Sequence, residues 1–195
     1  MFLKFLLGAS LLLGSAQASA QAITYDIDAN HTDVIAQWSH FGFSNPTAHF
    51  GEAFGTIVFD EKQPQNTQVN VALPLSGMEA YSKKFNEHLQ SADFFDVEKH
   101  PLATFKSTKV QKTGKNTFKM WGDLSIKEHT KEVVLDVVLN KIGERNDKPA
   151  IGFDAQTTLK RSDFGLGMAA PMVSDEVSIR ITTEAHGLVA VKTNP

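Results

Sequence analysis

Cysteine is absent from the 195-residue sequence. A chain without thiols has no disulfides, no thiolate nucleophile and no cysteine ligands for zinc, so burial of apolar surface has to stabilise its fold. An excess of positive charge is also absent, because 19 Lys and Arg residues stand against 22 Asp and Glu residues, for a formal net charge of −3. This balance provides no basic surface field for nucleic acid or anionic lipid.

The common motifs of nucleotide binding and nucleophilic catalysis are missing too. The sequence has no Gly-x-Ser-x-Gly turn, no Walker motif and no glycine-rich dinucleotide fingerprint. The stretch RSDFGLG contains the letters D-F-G without the other kinase motifs. Within it, Arg161 and Asp163 are predicted to form an ion pair at the rim of the fold. We therefore expect no enzymatic activity and neither a cofactor nor a resident metal.

A long apolar run occurs only at the N-terminus. MFLKFLLGASLLLGSAQASA, residues 1–20, has Lys4, an apolar run over 5–13 and a small-x-small pattern that ends at Ala20. The run is far shorter than the ~20 residues that span a bilayer, and this arrangement is typical of a secretory signal. We predict a signal peptide cleaved after Ala20, or alternatively after Ala22, and an exported protein. An uncleaved anchor is the less favoured alternative.

Alternation of apolar and polar residues dominates the rest of the sequence. The clearest segments are NTFKMWGDLSI, EVVLDVVLN, IGFDAQTTLK and EVSIRITTEA, and the weaker ones are ITYDID, DVIAQWSHF, FGTIVFD, TQVNVALPL and LATFKSTKV. Polar or glycine-containing turns such as KTGKN and IGERNDKP separate them. The pattern predicts about nine strands, each with one apolar face.

One segment, GMEAYSKKFNEHLQSADFFD, interrupts the alternation. Tyr81, Phe85 and Leu89 recur in it at helical spacing, which predicts a single helix over about residues 79–90. The sequence after the predicted signal peptide has no internal repeat, low-complexity stretch or linker. Residues 23–195 are therefore predicted to form one domain.

Strands with one apolar face have to bury that face against one another. With a single helix as cover, an antiparallel barrel and a sandwich both satisfy the pattern, and periodicity alone does not separate them. One helix suits the role of a cap on the open mouth of a barrel. A barrel of about eight strands is either filled by its own side chains or keeps room for one ligand.

Histidines and aspartates cluster in HLQSADFFDVEKHPLATFKS, residues 88–107. His88, Asp93, Asp96 and His100 are potential metal ligands, but no two of them fall at i, i+4 spacing within the predicted helix. We favour a polar turn whose aspartates cap backbone N–H groups, with histidines that have no role in binding.

A second group, His31, His40 and His49, recurs at equal spacings of nine residues. Imidazoles bind zinc and copper, so a shared metal site is one hypothesis. Because nine is odd, His31 and His40 would face opposite sides of one extended strand. Structural roles, or contacts of His31 and His40 with the head group of a ligand, are favoured instead.

Several segments together resemble the YceI-like family of exported lipocalin-like proteins. YDIDANHTDVIAQWSHFGFS resembles the family's opening, and HLQSADFFDVEKHPLATFKST resembles its helix end and the turn and strand that follow. HFGEAFGTIVFD, GDLSIKEHTKEVVLDV, KRSDFGLG and DEVSIRI fall in the expected order. The resemblance covers about residues 23–185. The opening motif falls on Tyr25, Asp28, His31, Thr32, His40 and Gly42.

Five positions depart from the family's pattern. They are Thr32 where serine is usual, Ala36 where an aromatic residue is common, Ala48 in place of a glycine, His49 in place of an arginine, and Glu128 in place of a turn glycine. The changes at Thr32 and Ala36 are expected to enlarge or reshape the pocket wall.

The resemblance implies an all-β fold, an antiparallel eight-stranded lipocalin-like barrel with one capping helix, and an apolar tunnel for a polyisoprenoid chain. A strand of about nine residues spans about 30 Å, which accommodates an extended lipid tail. A periplasmic protein is implied that binds a quinone such as ubiquinone, or an isoprenoid lipid, for transport, storage or sequestration. A membrane redox or lipid-handling protein is a candidate partner, without stable membrane insertion. A homodimer is left open.

Three alternatives stay open. The first is an enzyme that acts on a lipid through His31 or His40 beside an acid. The second is a histidine-based metal binder. The third is a structural barrel without a ligand, since 14 phenylalanines can fill a barrel as well as line one.

The predicted ligand contacts are inward-facing apolar positions, assigned from alternation. Phe94 and Phe95 are expected to line or close the interior from the helix side. The full set is Trp38, Phe54, Val71, Leu73, Phe85, Leu89, Phe94, Phe95, Phe105, Phe118, Met120, Leu135, Val137, Phe153, Phe164, Ile179 and Ile181.

Overall fold

The computed structural model describes residues 22–187. The predicted signal peptide and the last residues of the predicted domain lie outside this range. Within it, eleven strands and one α-helix follow one another. The elements are β1 (Ile23–Ile27), β2 (Asp33–Gln37), β3 (Thr47–Phe50), β4 (Phe54–Phe59), β5 (Gln68–Pro74), β6 (Met78–Ala80), α1 (Lys83–Gln90), β7 (Leu102–Lys112), β8 (Thr117–Ile126), β9 (His129–Arg145), β10 (Lys148–Lys160) and β11 (Glu176–Gly187).

Six of the short strands lie end to end, two by two, and so form three interrupted strands of the barrel: β1 with β2, β4 with β3, and β5 with β6. β1 and β2 lie one after the other along β11, β4 and β3 pair with them in turn, and β5 and β6 pair with β4 and β3. The remaining neighbours are β5–β7, β7–β8, β8–β9, β9–β10 and β10–β11, and every pairing is antiparallel. Counted in this way, eight strands close into a ring through β1 and β11. The expected all-β barrel with one helix is confirmed.

Two long strands with an unbroken register, β10 and β11, indicate the height of the barrel. β10 has 13 residues and β11 has 12, and they pair without a break from Ala150 with His186 to Lys160 with Glu176. At about 3.3 Å per residue β10 is about 40 Å long. A tilt of about 40° to the barrel axis reduces this to a height of about 30 Å. The barrel is therefore tall enough for an extended chain.

The predicted strands and helix differ from the structure in two places. β3 and β6 were not among the predicted strands, because four and three residues are too few for alternation to show. The helix begins at Lys83 rather than near residue 79, because Met78–Ala80 pairs with β3. The Ser82 side chain then caps the helix by accepting from the Phe85 backbone N–H at 3.2 Å. No helix within the described residues is long and apolar enough to cross a membrane.

The two ends of the barrel are built differently. At one end, the base, short turns join β7 to β8 and β9 to β10, and an eight-residue connection with a 3-10 turn joins β4 to β5. Large buried side chains, including Tyr25, Phe59, Phe118 and Phe153, pack together in this half. At the other end, the mouth, lie α1 and the longer loops after β2 and β10. The base is thus packed by side chains, whereas the mouth is covered by loops and a helix.

The carboxylate of Asp28 stabilises the junction between β1 and β2 along β11, which we call the seam. Asp28 Oδ1 accepts from the Asn30 backbone N–H at 3.0 Å, and its Oδ2 lies 2.8 Å from His31 Nδ1 and 3.1 Å from His186 Nε2. The Asp28 backbone N–H donates to the Glu184 carbonyl on β11. The hydrogen bond with His31, followed by those from Asn30 and His186, lowers the pKa of Asp28 to about 2 despite partial burial. Asp28 therefore links the two strands that close the barrel.

We predict that Asp28→Asn destabilises the fold by about 1 to 2 kcal/mol at neutral pH. The amide keeps the oxygen that caps Asn30 but loses the charge that favours the histidine contacts. Because the folded pKa lies below the ordinary value of 3.8, the unfolded state takes up this proton first as pH falls. The wild-type protein should therefore lose this share of stability between about pH 4 and pH 2, and the variant should not. Urea unfolding across this pH range measures both effects.

Asp33→Asn is the matched control. Asp33 Oδ2 also lies 2.8 Å from a histidine, His49 Nδ1, but that pair is exposed to solvent. Its loss is expected to cost less than about 1 kcal/mol. If Asp28→Asn and the wild-type protein have identical stability profiles across this pH range, Asp28 does not stabilise the seam.

Candidate functional site

The barrel encloses a cavity of about 560 Å³. This volume lies within the range of small-molecule sites. Side chains from the sheet, from α1 and from the loops at the mouth line it. The interior is therefore not filled by the protein's own phenylalanines, as the hypothesis of a filled structural barrel requires.

The predicted apolar contacts lie in the cavity wall with one exception. Those on strands point inward by alternation, as expected, and the others face the cavity from α1 and the loops. Contact with a ligand stays a prediction for all of them. The residues placed in the wall are Trp38, Val71, Leu73, Phe85, Leu89, Phe94, Phe95, Phe105, Phe118, Met120, Leu135, Val137, Phe153, Phe164, Ile179 and Ile181.

The prediction that Phe54 faces inward is wrong. Its side chain is 52% exposed and does not line the cavity. On the same strand Ile57 and Phe59 are buried in the core, so counting back by two places Gly55 inward and Phe54 outward. Gly55 has a φ of +141°, and a Cβ there would lie 2.1 Å from the Asn70 carbonyl oxygen. Only glycine fits this position, which leaves the inner face of β4 without a side chain there.

Among small residues of the upper wall, Ala48 and Ala103 were missed, whereas Ala36 was expected to shape the pocket wall and does line the cavity. Ala36 on β2 and Ala48 on β3 are direct cross-strand partners, both are buried, and both line the cavity beside Ala103 of β7. The alternation of Val34, Ala36 and Trp38 indicates that Ala36 faces inward, but an alanine by itself is weak evidence of a ligand contact. Because these side chains are short, they leave open space below the mouth.

Gly122 makes room for an aromatic side chain in the wall. A Cβ at this position would lie 2.3 Å from the Phe105 ring, which lies on the neighbouring strand β7. Phe105 therefore covers the glycine and presents its ring to the cavity. This packing explains why the apolar alternation of β8 skips Gly122 and resumes at Leu124.

Aromatic side chains from the helix side cover the mouth. Phe85 of α1 stacks on Trp38 and on Tyr81, with ring centroids 5.8 Å and 4.8 Å apart. Phe95 contacts Phe50 edge-to-face at 5.9 Å. All of these rings line the cavity. The helix and the turn after it therefore act as an aromatic lid.

The turn after α1 differs in detail from the expected aspartate cap. Asp96 has a left-handed φ of +48° and binds Lys99 Nζ at 3.0 Å, rather than capping backbone N–H groups with its carboxylate. His88, expected to have no role, lines the mouth and packs edge-to-face on Phe94 at 4.9 Å. His100 contacts Glu128 at 3.5 Å outside the cavity. Nothing in the sequence indicated the contact of His88 with Phe94, because His88 lies near the end of the predicted helix, outside the apolar helical pattern.

The histidines at equal spacing do not converge. His40 lines the mouth, His31 binds Asp28 outside the cavity, and His49 binds Asp33 on the outer surface. The expected head-group contact therefore keeps support at His40 and loses it at His31. Within residues 22–187, the one group with metal-ligand spacing joins His31 to Asp28 and Glu184. The hypothesis of a metal site shared by His31, His40 and His49 is wrong.

Arg161 organises the loop that forms one side of the mouth. Its side chain is only 9% exposed. Nε donates to the Ser174 carbonyl at 2.8 Å, Nη2 to the Val173 carbonyl at 2.7 Å, and Nη1 to the carbonyls of Leu166 and Met168. Burial lowers the pKa of Arg161, and the nearby carboxylate of Asp175 partly opposes this shift. The guanidinium stays protonated because arginine titrates far above physiological pH.

The predicted ion pair between Arg161 and Asp163 is wrong. Asp163 is exposed, and Arg161 binds backbone carbonyls instead. Asp175 in turn accepts from the backbone N–H and the hydroxyl of Ser162, at 2.8 and 2.7 Å. Backbone acceptors carry no residue-specific signal, so the sequence did not indicate this network.

We predict that Arg161→Lys destabilises the protein by about 2 kcal/mol or more, because one ammonium cannot reach all of the carbonyls that the guanidinium binds. Arg145→Lys is the control, since Arg145 forms an exposed ion pair with Glu184 and its change should cost less than about 1 kcal/mol. Urea unfolding measures both. Equal losses in the two variants would contradict the structural role of Arg161.

Comparison with known proteins gives one consistent result. A model of the YceI-like domain matches residues 25–185. A UPF0312 protein of Azotobacter vinelandii is 36% identical over 178 residues, which cover 90% of this chain and 92% of that protein.

Two solved structures share the fold. BcnA of Burkholderia cenocepacia has a TM-score of 0.75 and 24% identity, over 82% of this chain and 99% of the other. A polyisoprenoid-binding domain from Saccharophagus degradans, implicated in plant cell wall breakdown, has a TM-score of 0.67 and 11% identity, over 85% of this chain and 99% of the other.

The family match spans the whole barrel, from β1 to β11. The resemblance noted in the sequence is therefore confirmed. The chain belongs to the YceI-like family.

Proposed function

We propose that the protein binds a long apolar lipid, a polyisoprenoid chain with a quinone or another head group, inside the barrel. The observation that carries the proposal is the cavity itself, a single space that extends from Met168 and His40 at the mouth to Phe59 and Phe118 towards the base. Because it extends from mouth to base and is lined mainly by apolar side chains, it suits the chemistry of a long isoprenoid tail.

Several polar groups in the wall already have partners within the protein. Thr32 and Thr183 bind each other through their hydroxyls at 2.8 Å, and the Thr67 hydroxyl donates to the Pro64 carbonyl at 2.6 Å. The donors of Arg161 bind backbone carbonyls. Since these groups are satisfied within the protein, they impose no polar requirement on a ligand in the body of the cavity.

Hydrophobic burial is the main favourable contribution to binding of such a ligand. At about 25 cal/mol per Å², a few hundred Å² of buried tail contributes several kcal/mol before the cost of ordering is deducted. Specificity then depends on length and cross-section, because the wall offers few directional contacts. His40 and His88 at the mouth are the groups available to a polar head.

Two further considerations support the proposal. The Saccharophagus degradans domain that shares this fold is a polyisoprenoid-binding domain. The N-terminal sequence has the features of a secretory signal, so we place the protein in the periplasm, where it would transport, store or sequester its lipid. A membrane redox or lipid-handling protein is the proposed partner in delivery.

Binding is favoured over catalysis by the position of the histidines. A general base needs a histidine that faces the ligand beside an orienting carboxylate. In the part of the chain that the structure describes, the histidines within 4 Å of a carboxylate oxygen are His31, His49, His100, His129 and His186. None of these five lines the cavity.

We predict that Ala155→Phe greatly reduces uptake of a long isoprenoid alcohol or of a quinone with an isoprenoid tail. Ala155 lines the cavity on β10, opposite Ile181 and Val137 on the neighbouring strands, so a phenyl ring there would obstruct the passage. Because the ring enters existing space, the loss of stability should not exceed about 3 kcal/mol, the usual range for an enlarged core side chain. Native mass spectrometry after incubation with each lipid measures the bound fraction.

Gln156→Phe is the matched control on the next residue. Gln156 is exposed on the outer face of the same strand, so the same ring added there should leave lipid uptake unchanged. Equal uptake by Ala155→Phe and the wild-type protein would show that the lipid binds elsewhere and would overturn the proposed function.

A further inference from the structure

Exposed apolar side chains are concentrated around the mouth. Among the described residues, Phe43 is 92% exposed, Tyr81 67%, Met172 58%, Phe41 48% and Met168 45%. They lie on the loop after β2, just before α1, and on the loop after β10. We refer to these five residues as the apolar collar. Single exposed apolar residues are ordinary, but a group around one opening indicates an interaction surface.

The collar is continuous with the cavity. Met168 and Tyr81 are both exposed and part of the cavity wall. The Phe41 backbone N–H donates to the Met172 carbonyl at 2.8 Å, so the two loops are joined directly. The Phe43 backbone N–H donates to the carbonyl of His40, another residue of the wall. A ligand that leaves the cavity through the mouth therefore passes between these side chains.

The two stretches that hold four of the five collar residues carry no charged side chain, whereas Tyr81 is followed by Lys83 and Lys84. Residues 38–47 and 164–173 contain no Asp, Glu, Lys or Arg, although such residues make up 21% of the chain. The only ionisable side chain in either stretch is His40. A surface of this kind has no ion pairs to offer a polar partner, and aromatic side chains are favoured where hydrocarbon meets water.

The backbone of the loop after β2 adopts an unfavourable conformation where it carries Phe41 and Phe43. Phe41 has a φ of +53° and Gly42 a φ of +73°. The left-handed region is unfavourable for a bulky residue such as Phe41. Such strain tends to persist where function requires it. Here it keeps Phe41 and Phe43 on the solvent side of the turn.

From these observations we infer that the mouth docks reversibly onto the surface of a lipid bilayer, with the apolar collar inserted among the lipids. The inference rests on the proposed function, since a polyisoprenoid is dissolved in bilayers and is costly to transfer through water. Docking by the mouth lets the polyisoprenoid move between the bilayer and the cavity without passing through water. A second copy of the protein, or a protein partner, would cover the same surface, and the experiment separates these occupants.

The test uses flotation with vesicles of phosphatidylcholine alone and of phosphatidylcholine with phosphatidylglycerol. The wild-type protein should float with both, because apolar contact rather than charge drives the association. The double variant Phe43→Ser with Met172→Ser should lower the bound fraction about tenfold or more. Both side chains are exposed, so this variant should fold and take up isoprenoid from ethanol solution as the wild-type protein does.

Phe54→Ser is the matched control. Phe54 is 52% exposed but lies on the outer wall of β4, away from the collar. Its loss should leave flotation unchanged. As a direct probe, the fluorescence of Phe43→Trp should be quenched by vesicles with brominated acyl chains, and that of Phe54→Trp should not be quenched beyond the wild-type background from Trp38 and Trp121.

The outcomes separate docking from ligand binding. A wild-type protein that takes up isoprenoid but floats with neither vesicle overturns docking and leaves the proposed function intact. Flotation that depends on the collar without any uptake of isoprenoid supports docking and overturns the proposed function. Flotation unaffected by the double variant, or a wild-type dimer that the double variant converts to monomers, overturns docking by the collar.

Discussion

The closure of β1 and β2 onto β11 is the constraint on which the rest of the structure depends. A closed sheet has no free edge and directs every second side chain into one interior. Whether that interior is filled or open then depends on side-chain size. Large rings such as Phe59 and Phe153 fill the base, whereas Ala36 and Ala48 leave space below the mouth.

The open end requires a different kind of cover. Side chains cannot fill it without removing the cavity, so α1 and two loops lie across it. Phe85 provides the aromatic contacts of the helix, and Arg161 holds one loop by binding its carbonyls. These parts rest on the barrel without belonging to the sheet, which makes them the natural place for a ligand to enter and leave.

Much of the fold could be predicted from the sequence. Alternation located the long strands, and the family resemblance separated a barrel from a sandwich. Short strands such as β3 escape detection because two alternations do not rise above chance. The orientation of Phe54 was wrong because alternation gives two faces without saying which is inside. His31 was misplaced because a helical turn at Ala29–His31 breaks the strand. Arg161 was misjudged because its partners are backbone atoms.

Native mass spectrometry of the purified protein, followed by organic extraction and identification of what is released, tests the central claim most directly. The account predicts a stoichiometric long-chain isoprenoid, or a quinone with such a tail, that is lost on extraction. A ligand-free mass under gentle conditions, with no uptake of added quinone or polyprenyl lipid, would contradict it.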